Sequence, residues 1–366
     1  MDGKVIILHD VDGRIYFQAI KQLSDEGKID TVVFREVHFL KRLASSVYKR
    51  SFSMETLYQF FNNLFFFLSI PFVSGKTIII GMAPYNIRFI WYGVLARRNK
   101  VIYHTSWPYW WGRNVPHKNG FLFRFSECLY IKYFDLFKYK FVCVTEPVLD
   151  SLIQKNINID NCHIIPHAVD LEIFKAKSEQ ESYSADARKK IIFVGRIVKE
   201  KGVYQILELA RKLQNECDFD IVGDGPDYLN IQNEAHDLDN LTFHGYKEKI
   251  EVSNLLAMNQ ILILPSIKND KWEELFGLVI IEAMSVGLVV ISTDHVGPRG
   301  IIKNNKNGFL IHDDDIVNQS LEIINSLDFN SEVTREIINS ARESVEDYNI
   351  GSIKKKWAEI INEKTK

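Results

Sequence analysis

Short apolar runs punctuate the chain at fairly even intervals, each closed by turn-forming or charged residues. Five fall in the first half, at Val5–Leu8, Thr31–Phe34, Thr77–Ile80, Val101–Tyr103 and Phe141–Val144. Five more follow at Ile191–Val194, Phe219–Val222, Leu241–Phe243, Ile261–Leu264 and Val289–Ile291. Continuous apolar runs of this length suit strands buried on both faces, and most of the intervening stretches are long enough for a helix. The pattern predicts α/β structure with parallel sheets. It breaks between Lys175 and Lys190, where KAKSEQESYSADARKK shows no apolar periodicity and reads as a linker. The expected organisation is two doubly wound, Rossmann-like domains, 1–175 and 191–345, joined by a linker at 176–190 and facing a central cleft. Ligands should collect at the carboxyl ends of the strands. Residues 346–366 add a C-terminal helix, whose stripe of Ile353, Trp357, Ile360 and Ile361 packs on a domain surface or crosses back to the N-terminal domain.

Composition fits this picture: 366 residues, 46% hydrophobic and 25% charged, are enough for two cores. The net charge of -2 hides two opposite halves, with 22 Lys and Arg against 15 Asp and Glu over 1–175, and 23 against 32 over 176–366. A basic first half suits anionic lipid or a polyanionic acceptor, as well as an ordinary solvated surface. No recognised nucleic-acid-binding motif accompanies it, so nucleic acid is not an expected partner. Cys128, Cys143, Cys162 and Cys217 are scattered without metal-site or redox spacing, which argues against a zinc site or a disulfide scaffold. The start, Met1 to Asp10, runs straight into a strand without the apolar core of a signal peptide, and the expected location is cytoplasmic. The most apolar window, Leu57–Val73, is interrupted by Asn62, Asn63 and Pro71 and falls short of a membrane span. It reads as a buried helix, with an interfacial membrane-contacting helix as the alternative.

Candidate chemistry concentrates at strand ends in the second half. In IIFVGRIVKEKG a buried strand ends in Gly195-Arg196 and a helix begins near Gly202, an arrangement that suits an anion. Arg196 offers a fork of donors to phosphate oxygens, and Lys201 adds a point charge. The next strand runs into Gly223-Asp224-Gly225-Pro226, where glycines let backbone approach a ligand closely. In ILILPSIKNDKWEELFGLVIIEAMSVGLVVIST a strand ends at Pro265-Ser266 and a polar loop carries Glu273 and Glu274. A helix starts near Gly277. Glu282 lies inside that mostly apolar helix, so its carboxylate requires a partner or a cleft, and sugar or ribose hydroxyls would serve. Backbone N–H groups of Phe276, Gly277 and Leu278 at the helix start could hold a diphosphate.

The segment E-L-F-G-L-V-I-I-E-A-M resembles the E-x7-E signature of the retaining, GT-B-fold glycosyltransferases of family 4. Supporting matches are Gly195–Gly202 (G-R-I-V-K-E-K-G), Gly223–Pro226, Phe243–Tyr246 (F-H-G-Y), and Ile165–Asp170 leading to Phe174. The resemblance implies a GT-B fold and the transfer of a hexose-type sugar from a nucleoside-diphosphate sugar, with no cofactor and UDP favoured over GDP. It assigns Arg196 and Lys201 to the donor diphosphate, Glu274 to hydroxyls of the transferred sugar and Glu282 to the ribose. His104, after a strand as the family's active-site histidine is, would contact the donor sugar across the cleft. Two positions depart from the family pattern. The first loop reads Asp10-Val11-Asp12-Gly13-Arg14 in place of a glycine pair, and Pro166-His167-Ala168-Val169-Asp170 stands where Pro-Asn-Gly-Val-Asp is usual.

Departure of a nucleoside diphosphate places negative charge on the leaving group, so fixed donors aimed at it are the main catalytic device. Arg196, Lys201 and the helix start at Gly277 supply them without a metal. The expected enzyme is metal-independent. Rival readings on the same scaffold are a nucleotide-sugar 2-epimerase and a non-catalytic, transferase-like partner protein. On the acceptor side, Gly13, Arg14, Trp107 and Trp110 are the candidates, because Trp faces stack on sugar rings or sit at a lipid interface. A glycan on a lipid carrier, met at the inner face of the cell membrane through the N-terminal domain, is the expected acceptor, with synthesis of cell-surface polysaccharide or glycoconjugate as the setting.

Overall fold

A computed structural model describes residues 4–10, 13–48, 51, 53–111, 115, 121–137, 139–175, 188–269 and 272–363. Residues 176–187 of the expected linker, and Val11 and Asp12 of the first loop, lie outside the described residues. The chain forms two compact units, one of residues 1–168 with 350–366 and the other of residues 169–349.

The first unit runs β1 (Val5–His9), α1 (Gln18–Asp25), β2 (Val32–Glu36), α2 (Phe39–Tyr48), α3 (Met54–Ser69), β3 (Thr77–Gly81) and α4 (Phe89–Tyr92). It continues with β4 (Lys100–Thr105), α5 (Phe121–Phe137), β5 (Lys140–Cys143), α6 (Glu146–Ile153) and β6 (Cys162–Ile164). Its parallel sheet has the order β2-β1-β3-β4-β5-β6. The second unit contains β7 (Lys189–Val194), α7 (Val203–Lys212), β8 (Cys217–Val222), α8 (Tyr228–Glu234), β9 (Leu241–Gly245), α9 (Lys249–Ala257) and β10 (Ile261–Leu264). After these come α10 (Leu278–Val286), β11 (Val289–Thr293), α11 (Val296–Ile301), β12 (Phe309–Ile311), α12 (Ile316–Ser326) and α13 (Glu332–Val345). Its sheet, β12-β11-β10-β7-β8-β9, has the strand order of a dinucleotide-binding fold. Each predicted strand is present. The two edge strands β6 and β12, three residues each, were not expected; they are too short and too mixed in polarity to stand out as apolar runs.

The final helix, α14 (Ile350–Asn362), belongs to the first unit. Ile353, Trp357 and Ile360 are buried with Phe17, Ile20 and Leu23 around α1 and with Ile7, Ile79 and Ile102 of the sheet. Lys354 pairs with Glu26 and Lys140 with Glu363, while Lys100 Nζ donates to the carbonyl of Ile360 at 2.6 Å. The helix thus covers a sheet face that would otherwise be bare.

Helix α3 departs from the sequence expectation of burial. Ser53 caps it, its Oγ accepting from Thr56 N at 3.1 Å. Its outer stripe Met54, Tyr58, Phe61, Phe65 and Leu68, continued by Phe72, is 57–80% exposed. The opposite face presents Gln59, Asn63 and Phe66. No helix among the described residues is long and apolar enough to cross a membrane.

Trp357 is 3% exposed. Trp357→Ala should lower the stability of the first unit by about 3–5 kcal/mol, read as a shift in its urea unfolding midpoint.

Candidate functional site

In the second sheet β7 is the turning point. From it the chain winds through β8 and β9, then returns to lay β10, β11 and β12 on the other side, so loops leaving β7 and β10 diverge and open a crevice at the carboxyl edge. Two glycines let neighbouring loops pack closely, Gly202 the loops after β7 and β10 and Gly223 the loops after β8 and β7. At Gly202, with φ of +73°, a Cβ would sit 1.8 Å from the carbonyl oxygen of Pro265, and at Gly223, with φ of +138°, 1.8 Å from that of Gly195. Any larger residue would push the loops apart. The shelf is stitched by Gly195 N to Val222 O at 3.0 Å, Gly223 N to Gly245 O at 2.8 Å and Ile267 N to Glu200 O at 2.8 Å.

Lys201 and Glu274, 73 residues apart, meet on this shelf as an ion pair whose side chains are 20% and 13% exposed. The ammonium also lies 5.3 Å from the ring centroid of Trp272. The loop bearing Glu274 is fixed from behind. Its N–H donates to His295 Nδ1 at 3.1 Å, its carbonyl accepts from Gly297 N at 3.0 Å, and His295 Nε2 lies 3.0 Å from Asp313 Oδ1. Because Nδ1 accepts, the ring proton sits on Nε2 and points to Asp313, a single neutral tautomer. Burial, opposed by Asp313, holds the pKa of His295 below its ordinary value and keeps it in that state near neutral pH. His295 and Asp313 escaped the sequence reading because neither belongs to a local motif. Arg196 is exposed beside Gly195, with its charge toward solvent.

A cavity of about 310 Å³ opens along the ends of β7, β8 and β9, lined by Gly195, Arg196, Gly223, Tyr246, Lys247 and Val252. Tyr246 was within reach of the sequence through F-H-G-Y; Lys247 and Val252 carried no signal. Helix α10 starts at Gly277, with φ of +86°, and no side chain caps it. Its first amides, including Leu278 N–H, therefore have no intrahelical partner. Phe276 is buried before it, and Gly225 packs against Ile197 in the β8 loop. Arg196, Lys201, Glu274, Gly195, Gly223, Gly225, Phe276, Gly277, Leu278 and Glu282 thus all lie in the second unit. Among the described residues no group of three or more His, Cys, Asp and Glu is placed to hold a metal ion.

The remaining candidates lie in the first unit. His104, 3% exposed on β4, packs against Phe17 at 4.7 Å and His167 at 5.7 Å between ring centroids. Burial drives its pKa well below the usual imidazole range, so it is a neutral group. Trp110 is 2% exposed, packed edge-on against Tyr85 and Tyr103, and its ring is not presented to solvent. Trp107 is half-buried, and Gly13 and Arg14 form a short turn after β1.

Glu282 is half-buried in α10, and burial pushes its carboxyl from 4.5 up to about 7, with Lys249 pulling weakly the other way. A raised folded value means that the native state holds the proton more tightly than the unfolded chain does. Its contribution to stability is complete below 4.5 and is lost as pH rises through about 7. The loss amounts to at most about 3 kcal/mol. Glu282→Gln should flatten this part of the profile, read as thermal unfolding followed between mildly acidic and mildly alkaline pH.

Residues 174–344 match the family model of glycosyl transferases group 1. The alpha-D-kanosaminyltransferase of Streptomyces kanamyceticus is 30% identical over 138 residues, 36% of this chain and 34% of that protein. The UDP-Gal:alpha-D-GlcNAc-diphosphoundecaprenol alpha-1,3-galactosyltransferase of Escherichia coli is 29% identical over 192 residues, 48% of this chain and 46% of that protein. The chain therefore spans less than half the length of these curated relatives. The crystal structure of HepE from Anabaena in complex with UDP and glucose superposes over 98% of both chains with a TM-score of 0.67 at 16% identity, a likeness of fold. The second unit thus carries the match to the glycosyl transferases group 1 model, and the chain as a whole has the two-unit GT-B fold.

Proposed function

We propose that the protein is a retaining glycosyltransferase that moves a hexose-type sugar from a nucleoside-diphosphate sugar, with UDP the favoured nucleotide, to a lipid-linked glycan. What supports this reading is the Lys201–Glu274 ion pair beside the uncapped start of α10, with Arg196 on the loop that follows β7 in the same unit. The diphosphate oxygens fit Arg196, Lys201 and the amides of Gly277 and Leu278, which stabilise the charge that grows there as the bond between the anomeric carbon and the phosphate oxygen breaks. Glu274 fits sugar hydroxyls, and Glu282, poised near neutrality, fits the ribose. The acceptor hydroxyl forms the new bond to the anomeric carbon, and its proton passes to the leaving phosphate. Attack on the face that the leaving group vacates retains the configuration.

The acceptor follows from α3. A monomer rarely leaves so continuous an aromatic stripe bare, and Phe, Tyr and Leu at 3–4-residue spacing beside a basic half suit the interface of an anionic membrane. The names of the relatives point the same way: the Escherichia coli enzyme is named for a diphosphoundecaprenol acceptor. Work at the inner face of the cell membrane, in synthesis of a cell-surface glycoconjugate, follows from this reading.

Arg196→Ala and Glu274→Ala should each lower transfer by about 100-fold or more, since each removes a contact to the reacting groups; Arg196→Ala should leave the unfolding temperature nearly unchanged, whereas Glu274→Ala should also lower it by leaving Lys201 unpaired. Near-normal turnover in either would refute the site. Phe61→Ser combined with Phe65→Ser should reduce flotation with phosphatidylglycerol vesicles by at least about tenfold while leaving UDP binding intact; unchanged flotation would dismiss the membrane face.

A further inference from the structure

The first unit holds a cavity of its own, about 200 Å³, at the carboxyl ends of β1 and β2 beneath α3. Its chemistry is unlike that of the donor shelf. Gln59, Asn62 and Asn63 enter it from the inward face of α3, and Arg35 and Arg14 supply positive charge. The carboxylate of Glu36, which also lines it, is already engaged by Arg42. Glu36 N–H donates to Asn63 Oδ1 at 3.2 Å, an orientation that leaves the Asn63 amide nitrogen as a donor.

Arg35 is the unusual member. Its Nε is buried and has no hydrogen-bond partner among the described residues. Its guanidinium lies 5.7 Å from the ring centroid of Phe66, and no carboxylate among the described residues pairs with it. Burial lowers its pKa, as expected for a cation that lacks a counter-ion. A half-buried guanidinium with no paired acid among the described residues, beside the side-chain amides of Asn62 and Asn63, selects an anion with several oxygen acceptors.

The same helix settles where that anion comes from. Gln59, Asn62 and Asn63 line the cavity while Phe61 and Phe65 of the same helix face outward, and Tyr58, exposed at the boundary, lies close enough to Arg35 to act on its charge, so the cavity adjoins the proposed membrane surface. We propose that this cavity takes the phosphate ester of the lipid carrier that bears the acceptor, held by the fork of Arg35 and the amides of Asn62 and Asn63, while Gln59 at the rim stays bonded to Glu55. The inference rests on the membrane-facing reading of α3. It makes the phosphate, rather than the sugar alone, the feature by which the acceptor is chosen.

Binding to vesicles tests this without any transfer reaction. Phosphatidylcholine vesicles carrying polyprenyl phosphate are compared with vesicles carrying phosphatidylglycerol at equal surface charge. The full chain should prefer the first by about tenfold or more, the effect of one charge-assisted pair of hydrogen bonds. Arg35→Gln should bring the two affinities together while keeping phosphatidylglycerol binding. Arg35→Lys, which keeps the charge but loses the fork, should retain part of the preference; an unfolding scan confirms that both variants are folded. Equal affinity of the natural chain for the two vesicles would overturn the proposal, and so would a preference that survives Arg35→Gln. A thermal shift with inorganic phosphate that depends on Arg35, without any vesicle preference, would assign the cavity to a soluble anion and equally overturn it. UDP-induced thermal stabilisation reads the donor shelf separately, so loss of the donor reading would leave this comparison intact.

Discussion

The ion pair of Lys201 with Glu274 exists only because β7 and β10 are hydrogen-bonded neighbours. Their register sets Ile191 beside Ile261 and Ile192 beside Leu262, and the loops that follow are thereby delivered to one edge. Two partly desolvated charges on separate loops would each be costly alone, and breaking such a pair by removing one partner is more damaging than never having had it. The sheet order therefore governs the site: a chain that wound outward from β7 in one direction only would leave its charges on distant edges. Gly202 and Gly223 complete the constraint, since the backbone contacts they permit are too close for any side chain.

Behind this pair stands a neutral histidine that touches neither charge. By accepting from the Glu274 amide and donating to Asp313, His295 converts the position of β11 and the turn after β12 into an orientation of the Glu274 loop. A carboxylate that must meet sugar hydroxyls within a few tenths of an ångström needs such support, because a loop held only at its ends would spread over several conformers. Trp272 adds to this order by lying under the Lys201 ammonium and against the His295 ring.

The first unit solves a different problem with the same fold. Its sheet is covered on one side by α1 and by α14, the last helix of the chain, so the unit is built from two separate stretches of sequence. Its other side carries α3, which packs Phe66 and Phe67 into the core beside amides that line a basic cavity and leaves a second aromatic stripe outward. In water alone that arrangement wastes apolar surface. The proposed lipid interface outside and the proposed anion inside would account for both faces at once.

Apolar runs at Val5–Leu8, Ile191–Val194 and Ile261–Leu264 were enough to announce buried parallel strands, because a strand covered on both faces must be apolar throughout. Gly195-Arg196, Gly202, Glu274, Gly277 and Glu282 were legible as well, because anion cradles and helix starts are built from adjacent residues and so leave local motifs. The sequence by itself thus determined the layered α/β architecture and named the residues on which the proposed donor site is built. Three things were decided by tertiary structure alone: the support of Glu274 by His295 and Asp313, the burial of Trp110 and the exposed aromatic stripe of α3. Each depends on which distant residues become neighbours, and the face a helix or ring presents is set by packing against elements far away in the chain. Leu57–Val73 reads as a buried helix by hydropathy because hydropathy records how apolar a segment is and not which way its side chains point.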